Sequence, residues 1–398
     1  APAIRFQGFT DDWEQRKLGD VYTERNKRGN DSLKILSVSI HHGVSNEELD
    51  SNTLGKEVRR SEDKSLYKHV YLGDLVLNMM RAWQGAVGVV KSEAMVSPAY
   101  ITAVPSAELY PLFMDFYLRR DEAIGQMNNL SYGVTDFRKR LYWDSFVKVL
   151  CHIPTVAEQE RITVFFTHLD DTIALHQRKL TLFNQLKETY LKQMFPQNEE
   201  NMPVLRFADF SEPWEQRKWS ETVDISTEMV NPKTGEYDSL PHIGPGNIES
   251  FTGRILDNVK SVKEDNLISG KFHFYPGDVI YGKINPQLGK YAMVDFEGLA
   301  SADSYVLNTK NGVSQTFLFT ILQGTSFYKY SVSVSMRTGM PKINRDELNQ
   351  YSYSAPSIVE QEKIGHFFQQ LDDTSALHQE KIAHLKVLKT TLLNKMFI

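Results

Sequence analysis

The sequence predicts an α+β fold written twice: two mixed α/β blocks separated by two long helices packed as an antiparallel coiled coil, the halves related by internal duplication. Three observations predict it. The opening segment IRFQGFTDDWEQRK (4–17) returns as LRFADFSEPWEQRK (205–218). A longer segment, EQERITVFFTHLDDTIALHQ (158–177), returns as EQEKIGHFFQQLDDTSALHQ (360–379), with 14 of 20 positions identical. Between these anchors the halves diverge almost completely, apart from faint echoes such as LGDLV (72–76) against PGDVI (276–280). A period of half the chain lies far above the roughly 20–50 residues of solenoid repeats, so it reads as a tandem duplication of one module.

The first block, 1–150, alternates short β-rich runs (LKILSVSI, 33–40; GAVGVVKS, 85–92) with turns and one helical stretch over 111–128. The segment 151–202 follows as a helix and linker. Ile162, Leu169, His176, Phe183 and Tyr190 recur every seven residues, the spacing of a coiled-coil seam. Thr155 and Glu158 have capping-box spacing, in which the hydroxyl takes the N3 amide and the carboxylate reaches back to the N-cap amide. The proline-bracketed PQNEENMP (196–203) is the best linker candidate. The second block, 203–352, holds KFHFYPGDVIYG (271–282), YVLNT (305–309) and a helical stretch over 314–331. The last segment, 353–398, repeats the helix, with Ile364, Leu371, His378, Leu385 and Leu392 in the seam and Ser357 and Glu360 at the cap.

Composition narrows the function. Hydrophobic residues make up 41% and charged residues 24%, values of an ordered globular chain. No window approaches the ~18 apolar residues of a membrane span, so no membrane role is expected. One cysteine, Cys151, excludes an intrachain disulfide and a multi-cysteine zinc site. Cytoplasmic localisation follows as the expectation. No phosphate loop, strand-linked GxGxxG, GxSxG elbow, HExxH helix or amino-methyltransferase signature occurs. The chain is therefore expected to lack catalysis, cofactors and metals of its own. The formal charge of −5 argues against a uniformly basic nucleic-acid binder. Positive charge has to be local.

Local clusters do exist. In the first block they are Arg59 and Arg60; Arg81 and Gln84 around Trp83; and Tyr132 with Arg138, Lys139 and Arg140. In the second they are Lys283, Asn285, Gln287 and Lys290, then Arg337, Lys342, Asn344 and Arg345. Arg and Lys bond guanine, Asn and Gln bond adenine, and all hold phosphate. The competing reading for each is a solvated loop or, for Tyr132, core packing. Asp170-Asp171 and Asp372-Asp373 fit a solvated face or a partner contact better than metal chemistry. His176 and His378 fit a seam position better than a metal site, since no further ligand spacing accompanies them.

With its alternating variable and repeated blocks, the strand–Pro–helix junctions IPTVAEQERI (153–162) and APSIVEQEKI (355–364), and the RF..F...WEQRK openings, the chain resembles the specificity subunits of type I restriction–modification systems, staphylococcal ones especially. The resemblance covers essentially the whole chain. It implies that 1–150 and 203–352 are target recognition domains, each reading half of a bipartite, asymmetric double-stranded DNA sequence. It implies that the helices set the spacing and dock two methyltransferase subunits, which bind S-adenosylmethionine and methylate adenine N6. Two restriction subunits, using ATP and Mg, would complete a nucleoid-associated endonuclease. The docking surface is expected on the repeated helices at Glu158, Phe165, Phe166, Leu169, Asp170, Asp171 and His176, and at Glu360, Phe367, Phe368, Leu371, Asp372, Asp373 and His378. The alternative is a coiled-coil protein-interaction adaptor without sequence-specific DNA reading.

Overall fold

A computed structural model describes residues 2–41, 43–45, 64–133, 138–197, 200–336 and 339–398. The chain divides into two compact units, one of Ala1–Leu175 with Ile382–Ile398, the other of His176–Lys381. Among the described residues no helix is long and apolar enough to cross a membrane.

In the first unit, a four-stranded antiparallel sheet runs in the order Tyr22–Glu24, Tyr100–Pro105, Leu75–Asn78, Val87–Val89. A smaller sheet joins Ile35–Leu36, Ala94–Val96 and Lys68–Val70. The run 33–40, read as one β segment, splits into Ile35–Leu36 and Val38–Ser39, which enter different sheets. The single helix expected over 111–128 is two, Phe113–Tyr117 and Asp121–Leu130, parted at Leu118–Arg120. The repeated WEQRK opening forms strand Glu14–Lys17, paired with Leu150–Ile153 just before the long helix. Trp13, Phe113, Phe146, Phe166 and Phe397 share the core. Burial pushes the Cys151 thiol up to about 12, so it stays protonated and inert.

The second unit repeats this plan. Its four-stranded sheet runs Val223–Ile225, Ser304–Thr309, Val279–Gly282, Tyr291–Met293, and its opening strand Glu215–Lys218 pairs with Ser352–Ala355. A five-stranded sheet, which includes Lys271–Phe274, stands where the first unit has three strands. The helix expected over 314–331 breaks at Gly324 into Gln315–Gln323 and Thr325–Ser335. Trp214, Trp219, Phe317, Phe327 and Phe368 fill its core.

The long helices span Val156–Gln193 and Ile358–Met396. They pack antiparallel. In the first unit Lys389 of the second helix pairs with Asp170 of the first. In the second unit Tyr190 meets Phe367 edge-on at 5.2 Å, and Lys187 pairs with Asp372.

The capping box expected at the first helix is only half formed, and at the second helix the Ser357 backbone carbonyl, accepting from Gln361 N–H at 3.0 Å, serves the helix start. Glu158 N–H does approach the Thr155 hydroxyl, at 3.4 Å. Its carboxylate turns inward instead and takes two bonds of 2.7 Å from the Arg5 guanidinium. Glu360 does the same with Arg206, also at 2.7 Å twice. A bidentate charge-assisted pair outcompetes a single neutral amide for a buried carboxylate. The next residue is a second anchor. Gln159 accepts from Tyr110 N–H (2.8 Å) and donates to the Pro154 and Glu108 carbonyls. Gln361 accepts from Ser314 N–H (3.0 Å) and donates to those of Pro356 and Gly312. The repeated EQE motif therefore bolts each helix start to its own block.

Candidate nucleic-acid interface

In the first unit the chain leaves strand Leu75–Asn78, makes a tight turn at Ala82–Gln84, and re-enters the sheet at Val87–Val89. Gly85 closes the turn at φ 93°, a conformation that costs glycine little. Leu141 N–H donates to the Met79 carbonyl (2.9 Å), and Tyr132 and Arg140 exchange backbone bonds of 3.0 Å each way. These bonds bring two sequence-distant clusters together. Arg81 is exposed, with Trp83 and Gln84 half-buried beside it. The Lys139 ammonium lies 5.6 Å from the Trp83 ring centroid and also bonds Asn128. Tyr132 is 53% exposed and stacks on Tyr142 at 4.8 Å. It belongs to the surface. Arg138 and Arg140 are exposed alongside. The result is a basic patch with aromatic rings between its cations. Arg59 and Arg60 lie outside the described residues.

The second unit builds the matching corner around the turn Pro286–Leu288. Ile343 N–H donates to the Lys283 carbonyl (3.0 Å), which places Lys283 beside exposed Lys342. Burial first, then Lys342, lower the Lys283 ammonium below its usual value, with Asp303 opposing and Arg345 adding a smaller push in the same direction as Lys342. Positive potential gathered in this way favours an anion. Asn285 is held in the left-handed region at φ 51°, and its side-chain carbonyl accepts from Gln287 Nε2 at 3.4 Å. Arg337 lies outside the described residues.

Three of the candidate contacts make bonds within the fold. Lys290 Nζ bonds the Ile248 carbonyl. Asn344 caps the helix Arg345–Asn349, accepting from Glu347 N–H at 2.9 Å. Arg345 donates to the Ile225 (2.8 Å) and Ser226 (2.6 Å) carbonyls with its guanidinium 5.5 Å from the Tyr305 ring centroid. These bonds occupy the Lys290 ammonium, the Asn344 side-chain oxygen and part of the Arg345 guanidinium, while Asn344 itself stays exposed.

The helix residues expected to dock partners divide likewise. Glu158, Glu360, Phe166 and Phe368 are buried, which removes them from any surface a partner can touch. Phe165 and Leu169 pack against the first core, Phe367 and Leu371 against the second. Asp170 and Asp372 are ion-paired with lysines of the opposite helix. Burial raises the Asp372 carboxyl, with Lys187 opposing. Asp171 and Asp373 remain exposed. His176 and His378 meet each other, Nδ1 to Nδ1 at 2.8 Å.

One repeated constellation was not singled out from the sequence. His69 Nε2 bonds Glu93 at 2.8 Å and its ring stacks on Tyr71 at 4.4 Å. His273 Nε2 bonds Glu297 at 2.8 Å, with Tyr275 at 4.5 Å. The shared GD dipeptide just downstream (73–74 and 277–278) was the signal that could have aligned them. The two histidines stand on Lys68–Val70 and Lys271–Phe274, the strands that precede those leading into the turns, and each is a frame contact rather than part of the basic corner. Among the described residues no group of three or more His, Cys, Asp and Glu side chains is placed to hold a metal ion.

Comparison with known proteins places this architecture. The model of the type I restriction modification DNA specificity domain matches residues 211–387. The EcoDI type I restriction enzyme specificity subunit of Escherichia coli is 30% identical over 188 residues, 46% of this chain and 41% of that protein. The HindI specificity subunit of Haemophilus influenzae is 29% identical over 175 residues, 41% and 36% of the two chains. The matched region thus spans less than half the length of these relatives. The crystal structure of a type I restriction-modification S subunit from M. genitalium superposes with TM-score 0.65 at 12% identity, over 100% of this chain and 99% of that one. A second structure, from a study of assembly and conformational transition in a type I R-M system, gives 0.51 at 18% identity, over 98% of each. Both of these bear on the fold. The matched domain lies on the second half, and the first half repeats its anchoring contacts, Arg5–Glu158 for Arg206–Glu360, so both halves of the chain are similar to type I restriction–modification specificity subunits.

Proposed function

We propose that the chain is the non-catalytic part of a type I restriction–modification complex that chooses the DNA sequence. Blocks 1–150 and 203–352 act as target recognition domains, each reading half of a bipartite, asymmetric target. The segments 151–202 and 353–398 set the gap and dock two methyltransferase subunits that carry S-adenosylmethionine. Two restriction subunits with ATP and Mg complete the cytoplasmic, nucleoid-associated nuclease. One observation carries this reading: the scaffold contacts are the same in both halves (Arg5–Glu158 and Arg206–Glu360, Gln159 and Gln361), while the side chains on the two basic corners differ. A helix of 38 residues is about 57 Å long. That suffices to fix a gap of about one DNA turn, roughly 34 Å. The mildly acidic net charge fits a chain whose partners share the neutralisation of phosphate.

The test is single-molecule methylome sequencing of a host that carries this chain with its methyltransferase partner. The expected result is a two-part adenine-methylated motif with a constant gap. Methylation without a two-part motif, or DNA binding indifferent to exchange of the variable blocks, would leave only the adaptor.

A further inference from the structure

Two short segments of almost unrelated sequence fold alike. The amide that ends each strand spans the turn in the same way, Asn78 N–H to the Ala86 carbonyl (3.0 Å) and Gly282 N–H to that of Lys290 (2.7 Å). Inside the turns, Gln84 N–H donates to the Arg81 carbonyl (3.0 Å) and Leu288 N–H to that of Asn285 (2.9 Å). A left-handed glycine closes both, Gly85 at φ 93° and Gly289 at φ 56°. The residue after each strand, Met79 or Lys283, accepts a bond from the segment leading to the next short helix.

The side chains carried by this common frame differ at every position: Arg81, Ala82, Trp83 and Gln84 in one block, Asn285, Pro286, Gln287 and Leu288 in the other. Cations flank both turns, Lys139 and Arg140 in the first, Lys283 and Lys342 in the second. A constant backbone with exchanged hydrogen-bonding groups suits two readers built for different words. Arginine forks onto guanine, and amides pair with adenine. Lysines beside them hold phosphate and carry no sequence information. In the second turn the Gln287 carbonyl oxygen is buried. Gln287 therefore steers Asn285 through its amide and does not reach outward.

We propose that these turns are the base-reading heads of the two blocks: Arg81 and Gln84 read one half-site, and Asn285, oriented by Gln287, reads the other. The proposal rests on the function given above and adds where in each block the reading occurs.

The experiment uses the full chain with its methyltransferase partner and compares methylomes of the wild type, Arg81→Gln with Gln84→Ala, and Asn285→Asp. Aspartate keeps the left-handed turn accessible while removing the amide donor. The first variant should relax or change one half-site only, and the second the other, with the gap intact and melting temperatures unchanged. Each should lose about tenfold in preference for its cognate half-site. Both half-sites unchanged in correctly folded variants would overturn the assignment. Where a variant methylates nothing, gel shifts on DNA with each half-site scrambled decide. Lost discrimination at one half-site supports the turn, and retained discrimination at both overturns it. A wild type without any two-part motif would be a failure of the functional reading itself.

Discussion

Glu158 and Glu360 are wholly buried carboxylates whose charges are met by one guanidinium each. Removing the arginine leaves an uncompensated buried charge, which costs about 3–5 kcal/mol, whereas removing both partners costs less. Arg206→Ala should therefore lower the melting temperature of its unit of about 200 residues by roughly 6–20 °C. Arg206→Met with Glu360→Met should recover most of the loss, as a double-mutant cycle in urea would show. A double variant that loses the sum of the two single losses would mean that the pair is not coupled. The recurrence of Arg5 and Arg206 was legible in the sequence, and so was the spacing of Glu158 from Thr155. Their partnership was not. A capping box is inferred from three-residue spacing, and the true partner lies a whole variable block away. The same limit hid the tasks of Asn344, which caps a helix, and of Arg345, whose carbonyl partners Ile225 and Ser226 lie more than a hundred residues away.

At the scale of the helices, the heptad pattern foretold the seam, because an apolar stripe repeating every seven residues has one physical solution. It also put His176 and His378 in that seam. The structure adds that they face each other, with Phe183 stacked on His378 at 5.5 Å. Desolvation, then His378, Lys381 and Lys179, lower the His176 imidazole below its usual value of 6.5. A histidine so depressed holds fewer protons folded than unfolded, so the packed helices gain stability above about pH 6.5 and lose it as the pH falls below that value. The Nδ1 contact also demands that at least one ring be neutral. Urea midpoints measured from pH 7.5 down to pH 5 should fall, and the fall should flatten in a His176→Asn, His378→Asn variant. An unchanged slope would sink the idea. Strands were less legible than helices. Two-residue strands such as Ile35–Leu36 carry no periodicity of their own, and the break at Gly324 is an extended glycine that ends one helix and begins the next.

The duplication was the most legible feature of the whole molecule, and its three-dimensional form goes further than the repeat suggests. The end of the first long helix serves the second unit: Phe195 packs on Trp214 and Phe317, and Leu205 N–H bonds the Gln193 carbonyl at 2.9 Å. The end of the second long helix serves the first unit in the same way. Phe397 packs on Trp13 and Phe113, and Ile4 N–H bonds the Lys395 carbonyl, also at 2.9 Å. The two helix ends are thus interchangeable in what they touch, and the segment PQNEENMP follows the first. A connection that closes a short loop costs little, since closure entropy grows slowly with length, and adjacent ends tolerate rejoining. Joining Ile398 to Ala1 through a copy of PQNEENMP and opening the chain within the original 196–203 segment should therefore preserve every core contact named above. The permuted chain should melt cooperatively within about 5 °C of the parent, a change of roughly 1–2 kcal/mol for a unit of about 200 residues. With its partner subunits it should methylate the same two half-sites. A broad, non-cooperative transition would show that the present order of the segments contributes stability that these contacts do not explain.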